Sequence, residues 1–494
     1  MRNRLRMEAS YMANADRPDL PDPYVPMPIA LRALVSPPLF MASEIQAIDR
    51  IWAGAHPATP LMERAGMAAA ELVGALSSES GECVLVLVGP GNNGGDALVA
   101  ARLLAARGFR VTVVSRADPA RLPTDAAGAW AAWHESGGAV MAGIPPAQRY
   151  SLVIDGLFGM GLKRDIGDGD RDWIETINGL SCPKLALDVP SGIDSDSGRV
   201  CGCALRADHT LTFLGLKPGL FTGEGPDHVG HLHLDTLGVD SAAFPATAGI
   251  ALTQRENRHC LPARRQNSHK GLFGHVAIIG GDRGRVGACL LAGRAALEQG
   301  TGSVTLAVLD DRVVVDYLEP RLMFASPEAL LEMSPTVLAL GPGLGQHARS
   351  HALLETALAA PCPLVLDADA LNLLAHDAAL SDQAASRSHP TLLTPHPGEA
   401  ARLLGKNNAA IQSDRIGAAR DLSTHYHAHV ALKGAGTVVA HPDGHYAINT
   451  TGGPWLAQAG SGDRLTGMVA ALLAQGMAAG DALEAAVWLH GSPA

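Results

Sequence analysis

Cys83-Val84-Leu85-Val86-Leu87-Val88-Gly89-Pro90-Gly91-Asn92-Asn93-Gly94-Gly95-Asp96 is the stretch whose reading decides the fold. Six apolar residues are too few for a buried helix and suit a strand covered on both faces. The glycines end that strand, and residues 95–107 run on rich in Ala and Leu, as a helix does. A strand passing through a glycine turn into a helix is half of a βαβ unit. The same rhythm recurs downstream, with strands expected at 111–115, 151–155, 184–188 and 209–213. It pauses between about 238 and 269, where Pro245, Pro262 and the basic residues Arg255, Arg258, Arg264 and Arg265 fall. It then restarts. A strand at 275–279 leads into a helix at 288–299, and further strands follow at 303–308, 337–340, 364–367 and 429–432. Helices at 462–473 and 482–490 close the chain.

Two large α/β units are therefore expected in 494 residues, at roughly 100–200 residues per domain. The division reads as a flexible tail at 1–30, a first domain at 31–245, a linker at 246–268 and a second domain at 269–494. With 47% hydrophobic and 18% charged residues, the chain belongs with folded rather than disordered proteins. A net charge of −11 argues against nucleic acid as a partner. The seven cysteines form no CxxC pair, so neither a zinc site nor a disulfide framework is indicated. No apolar run reaches the ~20 residues that span a bilayer, and no apolar signal core follows the basic start Met1 to Arg6. A cytoplasmic protein with small-molecule substrates and no membrane partner is expected, assembled as a homo-oligomer.

Gly89, Gly91 and Gly94 satisfy G-x-G-x-x-G between strand and helix, where free backbone amides can cradle a phosphate. The same turn can be purely structural. A dinucleotide site expects an acidic residue some 20 residues on, at the end of the second strand, and Ser115-Arg116-Ala117-Asp118 fits that poorly. Two further polar turns follow strand ends, Asp155 to Gly161 and Asp188 to Asp194. Asn93, Asp155 and Ser191 can each offer an oxygen to one cation, and an oxygen-only set favours a hard ion over zinc. Each can equally be a turn former. Lys217, beside Pro218 and Gly219, reads first as a surface lysine and second as an assistant to a nearby carboxylate.

In the second unit, Gly460-Ser461-Gly462-Asp463 opens a helix. Asp463 is there either a helix cap or a base that takes a proton from an attacking hydroxyl. The helix amides behind it suit a phosphoryl group in transfer. Lys433-Gly434-Ala435-Gly436-Thr437 follows a strand as a turn suited to phosphate oxygens. Gly341 to Gly345, Asp367 to Asn372 and Thr394 to Glu399 also follow strand ends.

These motifs carry a resemblance to a family. Asn92 to Asp96, Asp188 to Asp194, Ala47 to Arg50 and Leu61 to Gly66 look like the NAD(P)H-hydrate epimerases, from about residue 41 to 231. The motifs of the second unit resemble the ADP-dependent NAD(P)H-hydrate dehydratases, from about residue 269 onward. The resemblance implies a Rossmann-like three-layer α/β domain followed by a ribokinase-like α/β domain. It implies that Asn92, Asn93, Gly94, Gly95 and Asp96 hold the substrate together with Gly159, Met160, Gly161, Leu162, Lys163, Arg164 and Asp165. Asn93, Asp155 and Ser191 would bind K+, and Asp188 would contact the reacting nicotinamide ring and move its proton. Ala288, Gly343 and His396 would line the second hydrate pocket, and Asp463 would meet the substrate hydroxyl. Lys433, Gly434, Ala435, Gly436, Thr437 and Gly462 would bind ADP, the co-substrate, with Mg2+. The implied activity is epimerisation of R and S hydrates of NADH and NADPH, then dehydration of the S form at the expense of ADP. The alternative is a ribokinase-like small-molecule kinase fused to a nucleotide-binding module. Met160, Arg464 and the run Asn449 to Trp455 depart from the family pattern. Family members usually continue for a further helix beyond His490, so exposed apolar surface is expected there.

Overall fold

The computed structural model describes residues 29–30, 36–56, 60–76, 82–146, 148–240, 244–253 and 264–492. The described residues form two sheets. The first runs, in spatial order, Ile29–Ala30, His231–Asp235, His209–Phe213, Lys184–Leu187, Leu152–Gly156, Cys83–Val88, Arg110–Ser115 and Val140–Met141. Every pairing is parallel except that of Ile29–Ala30.

Alternation along the central strand builds the layers, because successive side chains leave a strand on opposite faces. Val84, Val86 and Val88 pack with the helices Ala42–Ala55, Leu61–Leu76, Asn92–Ala106 and Thr124–Glu135. Leu85 and Leu87 pack with Trp173, Ile174 and Ile177 of the helix Asp168–Asn178 on the other face. The continuous apolar run at 83–88 is thus a doubly covered strand, as its composition predicts.

The second sheet has eleven strands, with His275–Gly280, Val337–Leu340, Leu364–Leu366, Thr391–Leu393 and His429–Leu432 parallel at its centre. It is also three-layered. Val276, Ile278, Val337 and Ala339 face the helices Val286–Glu298, Ser461–Ala474 and Ala479–Gly491. Ile279, Leu338, Leu340 and Leu366 face the helices between residues 348 and 426.

Three features depart from the sequence reading. The strand Gly249–Leu252 lies inside the expected linker 246–268 and pairs parallel with Tyr446–Asn449. Four residues give too short a pattern to be read as a strand without knowing the edge that receives them. The antiparallel strands Val438–Ala440 and Tyr446–Asn449 were likewise not anticipated. Pro38–Leu39, assigned to the first domain, forms the outer strand of the second sheet. Leu39 also bridges to Leu216, so this segment stitches the two sheets together. One apolar cluster accordingly runs from Leu39, Leu216, Leu220 and Phe221 into Ile279, Leu340 and Leu432. The expected tail up to residue 28, and Arg255, Arg258 and Pro262 of the expected linker, lie outside the described residues. No helix among the described residues is long and apolar enough to cross a membrane.

Candidate active sites

Both candidate sites sit beyond the carboxyl ends of parallel strands, where an open α/β sheet leaves a crevice. In the first half the crevice is a cavity of about 980 Å³. The helix Asn92–Ala106 starts at its wall with Gly91 as the cap residue and no side-chain cap, so its first amides are free for a ligand. The glycines of this turn have different jobs. A Cβ on Gly89 would fall 1.7 Å from the Leu157 carbonyl oxygen, whereas one on Gly91 would meet open space. Gly89 is needed for close packing, and Gly91 keeps the wall open.

Asn92, Asn93, Asp96, Asp188 and the run Gly159 to Arg164 line the cavity. Gly94 packs on Gly89 and Gly95 on Met62, behind the wall. Asp165 does not line it and pairs with Arg199 instead. Met160 does line it, so its departure from the family pattern puts a thioether in the wall. Lys163 stands in the lining with its ammonium 3.2 Å from Asp196 and 3.4 Å from Asp194.

Asp188 follows the strand Lys184–Leu187 with φ +64°, a conformation that costs a non-glycine residue free energy. Leu214 and Leu237, also in the lining, share the left-handed region. The Asp188 carboxylate is held by Lys217 at 2.5 Å. Lys217 is fully buried, not on the surface as the sequence reading put first, and it also donates to Thr212 Oγ1 and the Phe213 carbonyl. Burial pushes its ammonium pKa down while Asp188 holds it up, with a net lowering. Asp96 is pushed well above the usual carboxylate range by burial and by Asp188, Asp49 and Asp125.

Asp155 and Ser191 lie just behind this wall. Asp155 Oδ1 accepts from Ser191 Oγ at 2.7 Å and Leu157 N–H, and Oδ2 accepts from Ser191 N–H at 2.9 Å. Burial raises the Asp155 carboxyl, and the Ser191 and Leu157 hydrogen bonds only partly offset it. The Asn93 carboxamide abuts the same loop at Gly159 and is buried with neither oxygen nor nitrogen partnered. A buried amide oxygen without a partner, set against the loop that follows a buried carboxylate, is a setting that a hard cation would relieve. No group of three His, Cys, Asp or Glu among the described residues could hold a metal ion, so a divalent carboxylate cage is absent from them. Sequence reasoning gave no role to the helix Ala42–Ala55, yet Ile45, Asp49, Trp52 and His56 form one wall. Their near-helical spacing was the available signal.

In the second half, Asp463 lies in the first turn of the helix Ser461–Ala474, whose cap residue is Gly460 with φ +86°. No side chain caps this helix, so Asp463 is not the N-cap. Asp463, Ala288 and Gly343 line a second cavity of about 560 Å³ together with Asp369, Asn372 and Glu399. His396 does not line it. It stands one turn away, its Nδ1 accepting from Gly398 N–H and its Nε2 3.3 Å from Glu399.

Behind Asp463 lies a network of charges. Lys433 Nζ is 2.7 Å from Asp367 and 4.0 Å from Glu399. Thr466 Oγ1 donates to the second Asp367 oxygen at 2.8 Å. A Cβ on Gly462 would stand 3.2 Å from Lys433 Nζ, which places the 433–437 turn and this helix start in one site. Burial and Asp367 push the Asp463 carboxyl up to about 6, with Lys433 pulling the other way. Glu399 is raised to about 6, chiefly by burial. The sequence marks Asp367 and Glu399 only as strand-end residues, and the network gives them a role. Arg464 reaches to Glu298 and does not line the cavity, so its departure from the family pattern adds no side chain to the wall.

The family described as YjeF-related protein N-terminus matches residues 58–219, and that described as NAD(P)H-hydrate dehydratase matches residues 276–494. The bifunctional NAD(P)H-hydrate repair enzyme Nnr of Escherichia coli (strain K12) is 39% identical over 442 residues, covering 88% of this chain and 84% of that protein. A bifunctional NAD(P)H-hydrate repair enzyme of Leishmania major is 38% identical over 460 residues, covering 84% of this chain and 81% of that one. The solved ADP/ATP-dependent NAD(P)H-hydrate dehydratase from Bacillus subtilis, co-crystallized with ATP and Mg2+, is 32% identical. It covers 48% of this chain and 86% of its own, with a TM-score of 0.43.

Proposed function

The chain belongs to the family of bifunctional NAD(P)H-hydrate repair enzymes, and on that premise we propose a division of its residues between two reactions. It epimerises hydrated NADH and NADPH in the first half and dehydrates the S hydrate with ADP in the second. The observation that carries the residue assignment is the convergence of Asp463, Asp367, Lys433 and Glu399 on one uncapped helix start beside a cavity.

In the first site the substrate carries a hydroxyl on the ring carbon next to nitrogen. Epimerisation breaks that C–O bond as the nitrogen lone pair forms C=N, and water then adds to the other face. The departing hydroxyl needs a proton and the added water must lose one. The neutral carboxyl that the Asp96 environment favours suits the first task. Asp188, held in place by Lys217 at 2.5 Å, suits the second. Asn93, Asp155 and Ser191 would hold K+, which would supply a fixed positive charge behind the substrate loop.

In the second site Asp463 accepts the proton of the hydrate hydroxyl as its oxygen bonds the β-phosphorus of ADP and AMP departs. The C–O bond then breaks with loss of phosphate, a better leaving group than hydroxide, and a proton leaves the adjacent carbon to restore the dihydropyridine. The sum is hydrate plus ADP giving NAD(P)H, AMP and phosphate. Amides at 462–463 and the 433–437 turn lie where phosphoryl charge develops. Mg2+ would enter with the nucleotide phosphates, since the described residues offer no three-ligand cage of their own.

A cytoplasmic homo-oligomer fits this reading, its assembly supported by exposed Val314, Tyr317 and Leu318. The test of the assignment is Asp463→Ala assayed on mixed hydrates with ADP. Dehydration should be lost while R and S forms still interconvert, and residual dehydration equal to wild type would refute Asp463 as the base.

A further inference from the structure

The 433–437 turn is held from behind by the other half of the chain. Thr222 is fully buried, five residues after Lys217. Its hydroxyl donates to the Gly436 carbonyl at 2.9 Å and to the Ala435 carbonyl at 3.2 Å. It accepts from Arg415 Nε at 3.0 Å. Arg415, 2% exposed, donates onward from Nη2 to the Leu432 and Lys433 carbonyls at 3.2 and 3.3 Å. Its Nη1 donates to Gln412 at 2.8 Å.

The glycines of the turn answer to this clasp. A Cβ on Gly436 (φ +58°) would fall 1.8 Å from the Phe221 carbonyl oxygen, and one on Gly434 (φ +142°) would fall 2.7 Å from Arg415 Nη2. Both glycines are therefore required on the side away from any ligand. In a planar trans peptide the C=O of one residue and the N–H of the next point in opposite directions. With the carbonyls of Lys433, Ala435 and Gly436 drawn back to the clasp, the amides of Gly434, Gly436 and Thr437 turn outward. Successive amides turned to one side make an anion-binding concavity.

We propose that Thr222, a residue of the epimerase half, is a positioning residue for the nucleotide turn of the dehydratase half. This rests on reading 433–437 as the ADP site. Removing the hydroxyl frees two carbonyls and leaves a buried guanidinium N–H unsatisfied, so the outward amides lose their fixed direction.

The test is steady-state kinetics of the full chain with hydrate and ADP. Thr222→Val should raise the KM for ADP about tenfold or more. It should leave kcat and the hydrate KM within about twofold and epimerisation unchanged. Thr222→Ser should restore the ADP KM. An unchanged ADP KM in Thr222→Val overturns the proposal. So does a loss in which kcat falls with the folded fraction while the ADP KM stays put, because that is ordinary destabilisation. If Thr222→Val does not fold, failure of Thr222→Ser to keep a wild-type ADP KM overturns it equally. Amide exchange at 433–437 in the wild-type chain, with and without ADP, separates the two levels. No protection by ADP sinks the turn assignment itself, whereas protection with an unmoved Thr222→Val sinks only the clasp.

Discussion

Asp463 and Lys217 are ionisable groups held partly or wholly out of water, and each makes stability and activity pull on the same atom. With its pKa raised from 3.8 to about 6, the Asp463 carboxyl binds a proton more tightly in the folded chain than in the unfolded one. The stability it contributes is therefore complete below pH 3.8 and lost as pH rises through about 6. Asp463→Asn should stabilise the protein at pH 7.5 by about 1 kcal/mol, after discounting for partial exposure. That gain should vanish by about pH 4, where the wild-type carboxyl is also neutral. Thermal melts of both proteins across that range check it, and an equal gain at every pH would refute it. The base must be ionised to work, so dehydration kcat/KM should fall as pH drops below about 6. Glu399, raised to a similar value, shares that limb, so the apparent pKa belongs to the cluster. Lys217 poses the opposite case. Lys217→Met leaves the Asp188 carboxylate in a largely buried site without its partner, which should cost about 3–5 kcal/mol in urea unfolding. Epimerisation should drop at least ~100-fold by chromatographic assay of the two hydrates. The Asp463 site, in the other half, should keep its rate in the fraction that remains folded.

At the scale of single elements, the glycine turns tie fold to site. Gly436→Ala puts a methyl in a left-handed conformation, costing about 1–3 kcal/mol, and drives it into the Phe221 carbonyl. The expected result is a lower denaturant midpoint and a weaker hold on ADP by calorimetry. An unchanged midpoint would mean that the contact is not as close as described. The strand Cys83–Val88 and its glycine turn could be read because pattern, turn and helix are contiguous. Asp463 and Lys433 could be singled out for the same reason, as residues at strand and helix ends. What Gly436 packs against could not be read, because Phe221 lies 215 residues earlier and nothing local marks the encounter. Lys217 reads as a surface lysine for the same reason: Leu216, Pro218 and Gly219 hint at burial, but only the sheet brings Asp188 to its ammonium. Gly249–Leu252 was missed because a four-residue strand is specified by its partner Tyr446–Asn449 rather than by its own pattern.

The whole molecule is less divisible than its two reactions suggest. A linker at 246–268 would leave two independently folding enzymes, but the described contacts cross that line repeatedly. Pro38–Leu39 closes the second sheet, Leu216, Leu220 and Phe221 enter its apolar cluster, and Thr222 braces its nucleotide turn. Removing such a layer exposes apolar side chains, and each large one lost from a core costs about 2–5 kcal/mol. A fragment starting at His269 would lose all of these and Gly249–Leu252 besides, baring the strand Tyr446–Asn449 along one edge. An uncovered edge pairs readily with other chains. The full chain should therefore unfold in one calorimetric transition with matching calorimetric and van't Hoff enthalpies. The fragment should melt at least ~5 °C lower and self-associate on sizing. Two resolved transitions in the full chain, with the later one coinciding with the fragment's, would mean that the shared cluster couples nothing. A single transition would make the epimerase half a structural part of the dehydratase, so that a destabilising substitution near Leu39 should lower both activities together.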